Sequence, residues 1–245
     1  MGGQKREPQS VFRTRSPQRP VLLSADAPPV FPDPRRGDDE GLVAIGGDLS
    51  TERLRAAYAA GIFPWYNEGF PVLWWSPNPR AHLPGEELHV SRSLARRLAR
   101  KDYAVTWNLA FAEVIAACGQ GRKGGTWIVP EMRVAYQRLH HAGYAHSVEV
   151  WQENRLVGGL YGVQSGALFA AESMFHRETD ASKVAVVAAS RSLARVGIEL
   201  FDVQFATPHL RSLGVKEISR DDYLARAARA SARAVDLSGL SVGVE

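Results

Sequence analysis

Hydrophobic and polar positions change their period several times along this chain, and each change marks an element. Leu94 and Leu98 recur at helical spacing behind Ser91, an N-cap residue, so a helix is predicted over 91–101. Phe111, Val114, Ile115 and Cys118 form the apolar side of a second helix over 108–118, with Asn108 as its cap. A third spans 130–142, opened by Pro130 and closed by Gly143. Three strand-like runs follow at 145–151, 155–163 and 167–175. Their connections, 152–154 and 164–166, are short and turn-like, so the three should form an antiparallel meander. A helix over 181–196 ends at Gly197, a strand occupies 199–205, and a last helix lies near 221–233.

Before residue 80 the pattern is different. The segment is loop-rich, with one short helix capped by Ser50, sided by Leu54, Ala57 and Tyr58, and stopped by Gly61. Then comes a stretch that holds Trp65, Trp74 and Trp75, three of the six tryptophans, among Pro64, Pro71, Pro77 and Pro79. The prolines exclude a helix or a central strand over most of it. Large flat rings on an irregular segment form a wall, which either closes the core or lines a pocket for rings and apolar groups. The resulting layout is α+β. It divides into a disordered tail at 1–20, a small N-terminal α/β domain at 21–79, a domain with a mixed sheet flanked by helices at 80–234, and a disordered tail at 235–245. The order of elements in the larger domain is that of the acetyltransferase-like (GNAT) fold, an analogy that does not set the function.

Composition narrows the picture. There is no apolar run of about 18 residues, which excludes a membrane-spanning helix, and the N-terminus lacks the apolar stretch of a signal peptide. The cytoplasm is the expected compartment and a monomer the expected state. The single cysteine, Cys118, excludes an internal disulfide and reads as a buried thiol. The net charge of +4 belongs to the first twenty residues, where Lys5, Arg6, Arg13, Arg15 and Arg19 face only Glu7. A polyanion site must therefore be a local patch. One candidate is the stripe of Arg92, Arg96 and Arg100 on the polar side of the 91–101 helix. It reads either as a solvated face or as a track for nucleic-acid phosphates.

Three places could carry chemistry. In the strand 199–205, Phe201, Val203 and Phe205 alternate with Asp202 and Gln204, which places the two polar side chains on one face. The strand follows an apolar helix and reads as internal to the sheet, where a carboxylate must find partners. In 167–175, Glu172 stands among apolar and small residues, and regular alternation puts it on one face with Leu168, Ala170 and Met174, opposite Phe169 and Phe175. On the following helix Val186, Ala189 and Leu193 form a second apolar stripe, either core packing or a pocket wall. The turn at 175–182 between these elements has no glycine, which argues against the close backbone approach that coenzyme A pyrophosphate requires. No His or Cys pair has zinc spacing and Ser173 lacks a nucleophile elbow, so neither a metal nor a serine triad is predicted.

Taken together these segments resemble the leucyl/phenylalanyl-tRNA–protein transferases of bacteria. The matching stretches include 41–50 (GLVAIGGDLS), 61–65 (GIFPW), 73–77 (LWWSP), 125–128 (GTWI), 145–151 (AHSVEVW), 156–162 (LVGGLYG), 172–175 (ESMF), 202–204 (DVQ) and 209–214 (HLRSLG). They run in order from about Phe31 to Leu224. The resemblance implies transfer of Leu or Phe, and less readily Met, from Leu-tRNA or Phe-tRNA to the α-amine of proteins that begin with Lys or Arg, marking them for N-end rule degradation. It implies a GNAT-like domain that uses no cofactor. Trp65 and Trp127 would meet the 3′-terminal adenosine, Glu172 the aminoacyl end, and Asp202 with Gln204 the reaction centre. The apolar pocket is assigned to Tyr58, Phe169, Met174, Val186 and Leu193, with Arg92, Arg96 and Arg100 on tRNA phosphates. Two positions depart from the family: Ala171 where Gly is frequent, which trims the pocket, and Thr207 where some members have Asn, which weakens the case for a hydrogen bond from there to Asp202.

That chemistry suits the residues. An α-amine has a pKa of about 7.7–8.0, so a useful fraction is neutral at pH 7, and the donor is an activated ester. Positioning, one proton and one developing oxyanion are what remain to be handled. Asp202 is expected to orient the attacking amine or take its proton, and Gln204 to donate its amide N–H to the oxyanion.

Overall fold

A computed structural model describes residues 19–120 and 125–240. The N-terminal part builds a four-stranded sheet from β1 (Val21–Leu23), β2 (Leu42–Gly46), β3 (Phe63–Pro64) and β4 (Leu73–Trp75), in the order β1-β2-β4-β3. β1 and β2 are parallel, and β4 is antiparallel to both of its neighbours. Between β2 and β3 lies α1 (Thr51–Ala59). The Ser50 hydroxyl caps it by accepting from the Arg53 N–H, and Leu54, Ala57 and Tyr58 are its buried side.

The remaining strands form one mixed seven-stranded sheet. β5 (Arg80–Leu83), β6 (Ala104–Trp107), β7 (Ala145–Gln152), β8 (Arg155–Ser165), β9 (Leu168–His176), β10 (Leu200–Gln204) and β11 (Lys216–Ile218) lie in the order β11-β5-β10-β9-β8-β7-β6. β7, β8 and β9 form the antiparallel meander that their short turns predict. β10 is parallel to β9 and antiparallel to β5. The helices are α2 (Arg92–Ala99), α3 (Phe111–Cys118), α4 (Pro130–His141), α5 (Ala181–Arg195), the short α6 (Pro208–Arg211) and α7 (Arg220–Ser231). The fold is therefore α+β with a mixed sheet flanked by helices.

Neighbouring residues of each central strand alternate between two hydrophobic clusters, because strand side chains alternate with period two. One cluster holds Leu94 of α2, Val186 and Leu193 of α5, Leu160, Phe169 and Phe201. The other holds Tyr58, Trp74, Val114, Cys118, Tyr136, Tyr161, Leu168 and Tyr223, so the small sheet shares its core with the large one. At Gly61 the tryptophan loop meets α7. The Gly61 φ is +73°, and a Cβ there would stand 2.7 Å from Leu224 Cδ2 and 2.9 Å from Tyr223 Cε1.

Four features differ from the pattern-based expectation. Asn108 does not cap α3, which starts at Phe111 without a side-chain cap. Its φ is 57°, and its Oδ1 instead accepts from the Ser147 N–H at 3.1 Å. The expected C-terminal tail packs as far as Leu240: Leu237 is buried and Gln164 Nε2 donates to the Val235 carbonyl at 2.8 Å. Residues 241–245, and 1–18 of the expected N-terminal tail, lie outside the described residues, and Val21 is already in a strand. The short strands β5, β6 and β11 carry too few residues for a periodic signal. Finally, β9 does not alternate regularly. Its pairing with β8 steps from Ala171↔Gly162 to Ser173↔Tyr161, leaving Glu172 as an extra residue. The bulge reverses the faces, so Met174 joins Phe169 and Ala171, while Phe175 joins Leu168 and Ala170.

Gly61→Ala combines a left-handed backbone with a steric clash. It should lower stability by about 1–3 kcal/mol, read as a reduced urea midpoint at unchanged slope.

Candidate active site

The step in β9 and a second one in β10 together make the site. β10 pairs with β9 only as far as Asp202↔Ala170. Against β5 its register passes from Asp202↔His82 to Gln204↔Ala81, and Gln204 takes a left-handed φ of 56°. Beyond that point the two strands part, and a cavity of about 400 Å³ opens between them. One wall is Ala171, Glu172, Ser173 and Met174; the facing wall is Val203, Gln204 and Phe205. Phe63, Pro64, Trp65 and Trp127 come from outside the sheet, and Leu160 and Leu210 add to the apolar lining.

The tryptophan loop divides its labour. Trp74 is fully buried; its Nε1 donates to the Gly46 carbonyl at 2.8 Å and Phe31 meets it edge-on at 4.8 Å. Trp75 donates its Nε1 to the Trp65 carbonyl at 2.7 Å and packs edge-on against the Trp65 ring at 5.9 Å. Trp65 keeps 43% of its surface exposed at the cavity, with the Phe205 ring 5.8 Å away. An exposed indole held by two rings and a backbone bond is a prepared stacking surface.

One amide–carboxyl contact crosses the cavity wall. Gln204 Nε2 donates to Glu172 Oε1 at 3.2 Å, and the Tyr136 hydroxyl donates to Glu172 Oε2 at 3.3 Å. The Tyr136 hydroxyl is paired in turn with that of Tyr58. Burial pushes the Glu172 pKa up to about 8; the Asp202 charge adds to the rise, while Tyr58, Tyr136 and Arg80 oppose it. Burial and the Glu172 charge raise Tyr58 and Tyr136 well above the ordinary tyrosine value. With one Gln204 N–H on Glu172, the other N–H and Oε1 remain for a bound molecule.

Asp202 is placed otherwise than its expected role requires. It is fully buried and does not line the cavity. Oδ1 accepts from Arg80 Nε at 2.8 Å and the Gln204 backbone N–H at 3.0 Å. Oδ2 accepts from Arg80 Nη2 at 2.5 Å and the Tyr223 hydroxyl at 3.0 Å. Four hydrogen bonds occupy the carboxylate, so Asp202 holds the site rather than facing a reactant. Thr207 caps α6 through the Leu210 N–H and makes no bond to Asp202.

The other anticipated residues fall into two groups. Trp65, Trp127, Glu172, Met174 and Gln204 come together at the cavity. Tyr58, Phe169, Val186 and Leu193 are buried in the core and do not line it, although Tyr58 reaches it through Tyr136. Arg92 and Arg96 lie exposed on α2 and Arg100 at its C-cap, away from the cavity lining. Sequence reasoning missed Arg80, Tyr136 and Tyr223. Arg80 had one signal, a cation directly after the Pro-Asn-Pro turn. Among the described residues, no cluster of three or more His, Cys, Asp or Glu could hold a metal ion, and no helix is long and apolar enough to cross a membrane.

The raised Glu172 pKa links stability to pH. The folded protein retains a proton that the unfolded chain releases above its ordinary value of 4.5. The stabilising contribution is complete below that value and is lost as pH rises through about 8. Glu172→Gln should therefore lose part of the wild-type fall in melting temperature between pH 5 and pH 8; identical pH profiles in the two proteins would contradict the assignment.

The family model described as leucyl/phenylalanyl-tRNA protein transferase matches residues 82–228, and that of its N-terminal domain matches residues 47–78. A leucyl/phenylalanyl-tRNA–protein transferase of Anaeromyxobacter sp. (strain Fw109-5) is 55% identical over 82% of this chain and 86% of its own length. The one from Pectobacterium carotovorum subsp. carotovorum (strain PC1) is 52% identical over 84% and 89%. Among solved structures, a GCN5-related N-acetyltransferase from Kribbella flavida is similar at 11% identity and a TM-score of 0.39, over 65% of this chain and 58% of that one. With residues 47–78 and 82–228 matched by the family models and more than half of the aligned residues identical to those of its relatives, the chain belongs to the leucyl/phenylalanyl-tRNA–protein transferase family.

Proposed function

We propose that this protein moves Leu or Phe, and less readily Met, from aminoacyl-tRNA to the α-amine of proteins that begin with Lys or Arg, marking them for N-end rule degradation in the cytoplasm. It would act as a monomer and without a cofactor. The family supports the coarser part of this reading, an aminoacyltransferase that draws on aminoacyl-tRNA and modifies a protein. The observation that carries the finer part is the Gln204–Glu172 contact in an apolar cavity rimmed by Trp65 and Trp127.

In this reading the terminal adenosine stacks on Trp65 and Trp127, and the Leu or Phe side chain enters the apolar lining at Met174, Leu160 and Val203. The acyl group's own ammonium turns to Glu172, which it holds ionised. The acceptor amine attacks the ester carbonyl while Gln204 Oε1 accepts one of its hydrogens, and the second Gln204 N–H meets the developing oxyanion. The new C–N bond forms, the ester C–O bond breaks, and the proton lost by the amine ends on the leaving ribose oxygen. The buried, fully bonded Asp202 takes no part in that transfer. An apolar pocket separates side chains differing by one methylene by only about 1–3 kcal/mol, so some use of Met follows. At the turn before α5, Asp180 pairs with Lys183 at 3.0 Å, and no glycine stands there to allow the close backbone approach of a pyrophosphate, which disfavours an acyl-CoA donor.

Incubation with Leu-tRNA and a peptide beginning with Arg should add the mass of one leucine; no product with demonstrably charged tRNA would sink the reading. Gln204→Ala should lower kcat by about a hundredfold with little change in KM for the tRNA. If α2 tracks phosphates, replacing Arg92, Arg96 and Arg100 by Ala should weaken tRNA binding and reduce the slope of log K against log salt by about 2–3. An unchanged slope would remove α2 from the tRNA site.

A further inference from the structure

Arg80 has no role in the reading above, yet it touches both sides of the cavity's frame. Its guanidinium is 1% exposed and grips Asp202 through a two-bonded fork, 2.8 Å from Nε and 2.5 Å from Nη2. Nη1 donates to the Gly61 carbonyl at 3.3 Å. The cation lies between two rings, 4.7 Å from the centroid of Phe63 and 4.3 Å from that of Tyr223. Gly61 and Phe63 begin the segment that delivers Trp65. Asp202, through its 3.0 Å bond from the Gln204 backbone N–H, holds Gln204 in a left-handed conformation that a non-glycine residue rarely adopts unaided.

We infer that Arg80, steadied by Tyr223, is a positioning residue: it sets the Gln204 amide in fixed relation to the Trp65 wall, so that the adenosine end and the reacting ester are aligned together. The inference rests on the proposed function for its meaning in turnover, but its structural half stands apart from it. Asp202 fixes the Gln204 backbone only while its own carboxylate plane is fixed, and a planar guanidinium fork does this where an ammonium cannot. The Tyr223 hydroxyl holds Oδ2 from the other side at 3.0 Å.

The test compares wild type, Tyr223→Phe and Arg80→Lys in aminoacyl transfer and in backbone amide exchange. Tyr223→Phe should lower kcat about tenfold with KM for aminoacyl-tRNA nearly unchanged, and Arg80→Lys should lower it about a hundredfold. Both should speed exchange at residues 202–206 while β7 and β8 keep wild-type protection. If Arg80→Lys does not fold, Tyr223→Phe decides alone. An unchanged kcat, unchanged exchange at 202–206, or faster exchange across the whole sheet would each overturn the inference. A wild-type protein that transfers no amino acid would sink the proposed function instead; the exchange pattern would still report on the clamp.

Discussion

The buried Arg80–Asp202 ion pair is the constraint on which the rest of the site depends. Both groups are almost wholly removed from water. Taking two charges out of water costs several kcal/mol per ion, and their attraction offsets this only when geometry and further hydrogen bonds are good. Here every Asp202 lone-pair direction has a donor, and the guanidinium adds two ring faces and a carbonyl to its carboxylate partner. Burial alone would lower the arginine's pKa, but Asp202 raises it beyond the ordinary value, which keeps the guanidinium charged. Such a pair contributes less to net stability than to definition, because each partner is intolerable without the other. It joins β5, β10, α7 and the start of the tryptophan loop at one point.

Around that point the sheet departs from regularity twice, and both departures are used. A regular β9 would place Met174 on the face of Leu168; the bulge at Glu172 sends Met174 to the opposite cluster and leaves the carboxyl beside Tyr136. A regular β10 would continue pairing with β9 past Asp202; the left-handed Gln204 ends the ladder and points its amide at Glu172. The cavity lies where two strands stop being able to pair. Two of its polar groups, Glu172 and Gln204, are bonded to each other, and the burial of Glu172 favours its neutral form until a rise in pH ionises it.

The aromatic segment shows the same economy of roles. Of three tryptophans close in sequence, one is a core residue, one a brace and one an exposed face. Burial and the destination of each indole N–H separate them: Trp74 and Trp75 donate to backbone carbonyls, while Trp65 offers its ring to the cavity. The closeness of Gly61 to α7 keeps this segment against the ion pair that orders the opposite wall.

By itself the sequence determined most helices, the β7–β9 meander, and the family, because those rest on local period, caps and long aromatic motifs that need no tertiary knowledge. It also singled out Glu172 and Trp65, since a lone carboxyl in an apolar strand and rings among prolines are anomalies visible in one dimension; Gln204 stood out by alternation beside Asp202, and Trp127 only through the family resemblance. The face assignments near the site were illegible. Alternation assumes a regular strand, and one inserted residue at Glu172 inverts it; a left-handed Gln204 leaves no mark in composition. In the same way Val186 and Leu193, readable as a pocket wall by period alone, are core residues, because a core face and a pocket wall demand identical apolar spacing. Only the tertiary structure could assign Asp202 its partners. Arg80 and Tyr223 lie 122 and 21 residues away in sequence, and whether a buried carboxylate faces a reactant or a guanidinium is decided by which distant side chain arrives to satisfy it.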